Sequence, residues 1–320
     1  MEFKKVFESK HERPYIISGP CSAETEEQVL KTAHALAKQN IDLFRAGIWK
    51  PRTSPGSFEG VGVEGLGWLK RVKEETGLKV TTEVAKREHV FEAVKAGIDV
   101  LWIGARTTVN PFAVQEIADA VKGIDIPVLI KNPINPDYKL WVGAIKRIYN
   151  AGITKIGVIH RGFSYYGDTK YRNVPRWQIP IDLMREFPEL TFICDNSHIC
   201  GRRDILEEVA QKAMDLNFDG LMTEVHPDPD NAWSDAAQQI TPDTFGTLVK
   251  NLVYRNPSST DRTFNATLGH LRQEIDEIDN EFMNLLGKRM EIAQQIGQYN
   301  VNCLLILNSL LLLYPWMKVW

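Results

Sequence analysis

Apolar positions fall along the chain in two alternating textures. Short runs, apolar almost throughout in several cases, stand at YIIS (15–18), DLFRAG (42–47), KVTTEV (79–84), VLWIG (100–104), PVLIKN (127–132), KIGVIH (155–160), TFICD (191–195) and GLMTEVH (220–226). Between them lie stretches such as TEEQVLKTAHALAKQ, HVFEAVKAG and RDILEEVAQKAMDL, where apolar residues recur every three or four positions. The first texture predicts strands covered on both faces, the second amphipathic helices. Strands alternating with helices imply parallel pairing through crossover connections. Eight units within residues 1–256 predict an α/β fold of the (β/α)8, or TIM, barrel type rather than an open doubly wound sheet. No GxGxxG fingerprint follows the first strand, which speaks against a dinucleotide-binding sheet.

After the barrel, over residues 1–256, the polar stretch RNPSSTDRT (255–263) predicts a linker, placed at 257–264. Leu268, Leu271, Ile275, Ile278, Phe282, Leu285, Leu286, Ile292, Ala293 and Ile296 then repeat at helical spacing. They predict one long helix over 265–300, belonging to a truncated helical domain, whose apolar stripe needs the barrel or another chain to cover it. Residues 301–320, VNCLLILNSLLLLYPWMKVW, form an atypical apolar tail. Its run from Cys303 to Leu313 is interrupted by Asn308 and Ser309 and falls short of the ~20 residues a membrane span needs.

Composition narrows the function class. The 320 residues carry 38 Lys plus Arg against 41 Asp plus Glu, a net charge of −3, which argues against a nucleic-acid partner. With 43% hydrophobic and 25% charged residues the chain reads as globular. Cys21, Cys194, Cys200 and Cys303 lack the spacing of a disulfide framework, and the polar start MEFKKVFESKHERP is no signal peptide. A cytoplasmic location without membrane attachment is expected.

In a (β/α)8 barrel the chemistry gathers where the strands end, on the C-terminal rim. Those ends carry Cys21, Arg45, Glu83, Arg106, Lys131, His160-Arg161, Asp195 to His198 and Glu224 to His226, with Asp235 in the loop beyond. Cys21, His198, Glu224 and Asp235 form a mixed soft and hard set suited to a divalent first-row transition metal of the Mn, Fe, Co or Zn class. Closing the barrel makes the first strand a neighbour of the eighth, so these distant positions converge. His226 and His160 are alternative ligands at the same ends. A second group is cationic: Arg45, Lys50, Arg52, Arg106, Lys131 and Arg161, with the hydroxyls of Thr53 and Ser54 beside Arg52. So many cations on one mouth of a slightly acidic protein point to more than one anionic group, phosphate or carboxylate, bound there.

GPCS, KPRTSPGSF, LWIGARTTVNPF, LIKNPINPD, IHRGF, DNSHICGRR, TEVHPDP and SDAAQQ together resemble the type I 3-deoxy-D-arabino-heptulosonate 7-phosphate (DAHP) synthases, in their compact branch without an N-terminal extension. The resemblance implies a metal-dependent barrel enzyme that condenses phosphoenolpyruvate with erythrose 4-phosphate and releases phosphate, opening the shikimate route to aromatic amino acids. It implies Cys21, His198, Glu224 and Asp235 as metal ligands. It further implies Arg45, Lys50, Ala105, Arg106, Lys131 and Arg161 around phosphoenolpyruvate with Glu83 nearby, and Arg52, Thr53 and Ser54 on the erythrose 4-phosphate side. Lys50, Arg45 and His198 would be the catalytic groups.

LRQEIDEIDNEFMNLLGKRMEIAQQIGQY (271–299) resembles the first helix of an all-helical chorismate mutase, with Arg272 and Arg289 at its substrate-binding arginines. That family has a lysine eleven residues after Arg289, where this chain has Asn300, and the resemblance stops there. Mutase activity is therefore expected to be lost. A homodimer or larger homo-oligomer is expected from such a helix. The rival reading of the barrel is 3-deoxy-D-manno-octulosonate 8-phosphate synthase, which uses arabinose 5-phosphate; the KPRTSP run favours the four-carbon sugar. A scaffold with a degenerate barrel would have lost ligand positions, and none of the four is missing. A class II aldolase would show a His-rich zinc site without the surplus of cations.

Overall fold

A computed structural model of the protein describes residues 1–7, 13–51, 56, 58–254 and 262–303. Eight strands, β1 (Tyr15–Gly19), β2 (Leu43–Arg45), β3 (Val80–Val84), β4 (Val100–Ile103), β5 (Val128–Lys131), β6 (Ile156–His160), β7 (Thr191–Asp195) and β8 (Gly220–Glu224), pair in parallel in sequence order. The eighth returns to the first, from Tyr15 opposite Gly220 to Gly19 opposite Glu224, and closes the barrel. All eight predicted runs are strands, with no end displaced by more than two residues.

The helices on the outside are α1 (Glu26–Ala37), α2 (Glu64–Thr76), α3 (Arg87–Lys95), α4 (Ala105–Thr108), α5 (Pro111–Val121), α6 (Tyr138–Asn150), α7 (Gln178–Glu186), α8 (Asn196–Cys200), α9 (Leu206–Asp215) and α10 (Pro242–Asn251). Several begin on caps written in the sequence. Thr25 accepts from the Gln28 amide, Asp137 from that of Leu140, and Asn110 from those of Phe112 and Ala113 ahead of Pro111.

Side chains alternate along a strand, so each strand contributes one stripe to the barrel interior and one to the helix layer. The interior stripe is apolar at the bottom: Ile17, Leu43, Val100, Trp102, Leu129, Ile159, Ile193 and Met222 form one buried cluster. Two residues further toward the C-terminal ends the same stripe turns charged, with Leu43 followed by Arg45, Leu129 by Lys131, Ile159 by Arg161, Ile193 by Asp195 and Met222 by Glu224. The opposite stripe, including Ile16, Phe44, Leu101, Ile130, Val158, Phe192 and Leu221, packs with the helices in the main core.

His160 belongs to that outer stripe. It is fully buried among Trp141, Phe163, Trp177 and Phe218, with ring centroids 5.2–6.5 Å away. Neither ring nitrogen has a hydrogen-bond partner of normal geometry. It therefore does not replace any of the rim ligands.

The chain divides into two units, Met1–Arg255 and Asn256–Trp320. The second contains α11 (Arg262–Cys303), slightly longer than the predicted helix. Considered by itself, α11 presents Leu271, Ile275, Ile278, Phe282, Leu285 and Ile292 as exposed side chains. Most of the linker and residues 304–320 of the apolar tail lie outside the described residues. Among the described residues no helix is long and apolar enough to cross a membrane.

The buried imidazole makes stability depend on pH. Burial pushes His160 from 6.5 down to about 3, against an opposing pull from the Pro175 carbonyl. Its contribution is intact above 6.5 and is lost as pH falls from 6.5 toward 3, because the unfolded chain takes up the proton first. Urea unfolding should show the wild type losing up to about 1.4 kcal/mol per pH unit more than His160→Phe below 6.5. Parallel profiles for the two proteins would refute this.

Candidate active site

Where the interior stripe turns charged, opposite charges are stacked in pairs. The Arg45 guanidinium, 2% exposed, lies 3.2 Å from Glu224 Oε1 and 4.9 Å over the Trp102 ring. Lys131 Nζ donates to Asp195 Oδ2 at 2.7 Å and lies 5.8 Å from the same ring. Trp102 Nε1 donates to Glu83 Oε2 at 3.2 Å, which fixes that carboxylate above the aromatic plug. Gly104 makes room for it: a Cβ there would stand 1.9 Å from Glu83 Oε1.

Cys21, Glu224 and Asp235 each offer one donor atom within 4.8 Å of the other two. Bonds of about 2.0–2.3 Å to a shared ion set donors at this separation. Cys21 Sγ is 3.2 Å from Asp235 Oδ2, and Glu224 Oε1 is buried without a hydrogen-bond partner, Arg45 being near but out of line. Asp235 takes the left-handed backbone conformation, φ 49°, which a non-glycine residue adopts at some cost and which here aims its carboxylate at the thiol. His198 Nδ1 lies 3.0 and 2.9 Å from the Asp195 oxygens. The proton is assigned to that nitrogen by its carboxylate partner, which leaves the lone pair on Nε2, 4.0 Å from Asp235 Oδ2.

Electrostatics match this arrangement. Burial pushes the Cys21 thiol up to about 12, helped by Glu224 and Asp235 and opposed by Lys50 and Arg45, so a cation must displace its proton for the sulfur to act as thiolate. Burial opposes ionisation of Glu224 and Asp235 too, yet both are held below the usual carboxylate range, by His198 and Arg45 for the first and by His198, Lys50 and Arg172 for the second. Burial lowers the His198 imidazole despite Asp195 and Glu224. A thiol and two carboxylates, with an orphaned buried oxygen among them, fit a divalent first-row ion; the His198 imidazole stands outside this three-residue cluster, its Nε2 4.0 Å from Asp235 Oδ2.

Beside these donors a pocket is lined by Arg45, Lys50, Pro51, Glu83, Arg106, Lys131, Arg161, Arg172, His198 and Asp235. Its cations are not equally compensated. Arg45, Lys131 and Arg172 face carboxylates. Arg161 instead donates to the Asn173 side-chain oxygen and the Gly162 carbonyl, and Lys50 to the Cys21 carbonyl, the Cys21 sulfur and Ser234 Oγ. Burial pulls Arg161 down to about 10, the mark of a cation short of negative charge.

The structure thus brings together ten of the predicted rim residues, namely Cys21, Arg45, Lys50, Glu83, Arg106, Lys131, Arg161, His198, Glu224 and Asp235. Ala105 is buried at the start of α4, next to Arg106 but not among the pocket-lining residues. Arg52, Thr53 and Ser54 lie outside the described residues. Arg272 and Arg289 are exposed on α11, in the second unit. His226, the other alternative ligand, is instead buried against Glu24, Nε2 to Oε2 3.2 Å. Sequence reading did not single out Arg172, Asn173, Gln238 or the full part of Asp195. Asp195 was reachable, since it continues the Ile193 stripe; the other three sit in loops without periodicity.

Fold and site define the class: a parallel (β/α)8-barrel enzyme with its reactive groups on the C-terminal rim. The DAHP synthetase I family matches residues 1–255. A phospho-2-dehydro-3-deoxyheptonate aldolase of Thermotoga maritima is 33% identical over 237 residues, 74% of this chain and 68% of that protein. A 2-dehydro-3-deoxyphosphooctonate aldolase of Legionella pneumophila is 29% identical over 265 residues, 77% of this chain and 93% of that one. The crystal structure of a DAHP synthase from Thermotoga maritima superposes with a TM-score of 0.66 at 31% identity, covering 74% of this chain and 68% of that one. The chain belongs to the DAHP synthetase I family. Residues 271–302 match chorismate mutase type II, a partial stretch of that domain.

The close approach at Gly104 is testable without replacing a charged residue. Gly104→Ala must displace Glu83 from Trp102 and should cost about 1–3 kcal/mol as overpacking. It reads as an earlier midpoint in urea, and an unmoved midpoint would contradict the packing.

Proposed function

We propose that the rim condenses phosphoenolpyruvate with erythrose 4-phosphate and water to DAHP and phosphate, with Cys21, His198, Glu224 and Asp235 as ligands of a divalent metal. The observation that carries this reading is a first-row donor set, Cys21, Glu224 and Asp235, beside a pocket lined by Asp235 and by the anion-hungry cations Arg161 and Lys50. Membership of the DAHP synthetase I family supports it.

Phosphoenolpyruvate brings a carboxylate and a phosphate. Arg161, whose hydrogen bonds go to neutral oxygens, takes one anionic group together with Arg106, while Arg45 and Lys131 flank the enol over Trp102. Planar guanidinium forks fix both orientation and charge. Holding two anions in reacting geometry supplies several kcal/mol through effective molarity, and the cations offset their mutual repulsion. A divalent metal held by Cys21, His198, Glu224 and Asp235 would supply Lewis-acid polarisation of the aldehyde oxygen. C3 of phosphoenolpyruvate forms the new bond to the aldehyde carbon. Lys50 Nζ, 2.5 Å from Cys21 Sγ and within the pocket, hands a proton to the alkoxide oxygen that results. Water adds at C2 and its proton restores the Lys50 ammonium; the C2–O bond to phosphate then breaks, and release of phosphate completes the product.

Arg52, Thr53 and Ser54 are assigned to the phosphate of the aldose. No mutase function is assigned to α11, because the matched stretch is partial.

A phosphate-release assay tests the reading. Erythrose 4-phosphate should support turnover roughly tenfold or more better than arabinose 5-phosphate. Chelation should abolish activity and a divalent first-row ion restore it. Preference for the pentose would transfer the chain to the octulosonate reaction, and full activity in chelator would remove the metal from the site. Arg161→Ala should weaken phosphoenolpyruvate binding in calorimetry by about 1.5–3 kcal/mol, the range of a charged hydrogen bond; unaltered affinity would overturn its assignment.

A further inference from the structure

We propose that Arg172 and Gln238 form a brace that aims the Glu224 and Asp235 carboxylates at one point, making both positioning residues of the metal centre. The proposal rests on the metal reading above.

A single guanidinium nitrogen starts the chain of contacts. Arg172 Nη1 donates to Asp235 Oδ1 at 3.0 Å and to Gln238 Oε1 at 2.7 Å. Gln238, 1% exposed, passes the link on by donating from Nε2 to Glu224 Oε2 at 2.7 Å. One oxygen of each carboxylate is thereby tied down. The remaining pair, Asp235 Oδ2 and Glu224 Oε1, faces the Cys21 side of the cluster: the first lies 3.2 Å from the sulfur, and the second is the buried oxygen without a hydrogen bond. Occupying the outer lone pairs of two ligands fixes which oxygens are left for an ion, as partners around ligating groups do generally.

The brace is itself held in place. Arg172 lies in the loop between β6 and α7, where its amide donates to the Cys200 carbonyl and that of Asn173 to the Ile199 carbonyl. Asn173 Nδ2 donates to the carbonyl of His198 at 2.6 Å, so the loop grips the short helix that carries the imidazole ligand. Gly201, at φ +66°, closes that helix directly beneath Arg172; a Cβ there would meet the Arg172 Cβ at 2.3 Å. The loop is thus bound directly to two of the four proposed ligands, Asp235 and His198, and through Gln238 to a third, Glu224.

Direction separates this role from a merely electrostatic one. Removing a positive charge beside a cation site strengthens cation binding by Coulomb's law. Removing a brace weakens it. Cobalt(II) titration of the full-length protein, followed by its thiolate-to-cobalt absorption and by competition with a chelator, reads the affinity directly. Arg172→Met should bind cobalt about 10–100-fold more weakly, and Arg172→Lys should recover only part of the loss, one ammonium lacking the rigid fork. Gln238→Leu should lose affinity too, and the double variant little more than the worse single one, because both act through one chain of contacts. Equal or tighter binding in Arg172→Met, or additive losses in the pair, overturns the brace. If Arg172→Met does not fold, Gln238→Leu carries the test, and unchanged cobalt affinity there has the same force. A wild-type protein that binds no cobalt overturns the metal reading and the brace with it, whereas normal wild-type binding with unaffected variants overturns the brace alone.

Discussion

Charge buried inside a barrel is tolerable only when it is partnered, and that constraint organises everything above the apolar plug. Arg45 and Glu224, and Lys131 and Asp195, are each almost inaccessible to water. Breaking such a pair by removing one member strands the other and costs several kcal/mol, whereas the intact pair adds little net stability. These pairs are thus weak grounds for a stabilising role. They make sense as the walls of a site whose remaining valences are kept for something else: one oxygen of Glu224, the sulfur of Cys21, and the unprotonated nitrogen of His198.

Closure of the sheet converts sequence distance into contact. Gly19 pairs with Glu224 across the β1–β8 seam, which brings the loop carrying Cys21 beside the end of β8. Asp235 then reaches the same point from the following loop, held in a left-handed conformation by contacts on both of its oxygens. None of these three residues sits within ten positions of the other two in the chain. The barrel supplies the proximity, and the loops supply the final aim.

The barrel was legible because its grammar is regular. Each predicted strand run is short, apolar and followed by a helical period, and the eight runs are the eight strands. The rim was legible for the same reason: Arg45, Lys131, Arg161 and Glu224 each stand two residues beyond an interior aliphatic, so parity alone sends them inward. The same rule takes His160 out of the site, since it follows Val158 on the helix-facing stripe and sits among aromatic rings. His226 escaped that rule because it lies beyond the end of β8, where alternation no longer binds, and its partner Glu24 could not be foreseen from spacing. Arg172 and Gln238 were invisible for a related reason. Their positions depend on how two irregular loops fold back, set by carbonyls of Ile199 and Cys200 and by the room that Gly201 leaves.

Partnering also sorts the cations by function. Arg45 and Lys131, almost wholly withdrawn from water, need permanent carboxylates, and stacking on Trp102 spreads their charge over an aromatic face. Such residues shape the site but have little attraction left for a ligand. Arg161, as buried as Lys131, and Lys50, which is only half-buried, are bonded to amide and carbonyl oxygens, a hydroxyl and a thiol, none of which cancels a unit charge. Attraction for an incoming anion is therefore concentrated on Arg161 and Lys50 rather than on the carboxylate-paired Arg45 and Lys131. The passage from an apolar floor to a charged rim follows from one step, an interior stripe moving two residues beyond its last hydrocarbon side chain, and the loops beyond the strands decide which of those charges find a carboxylate.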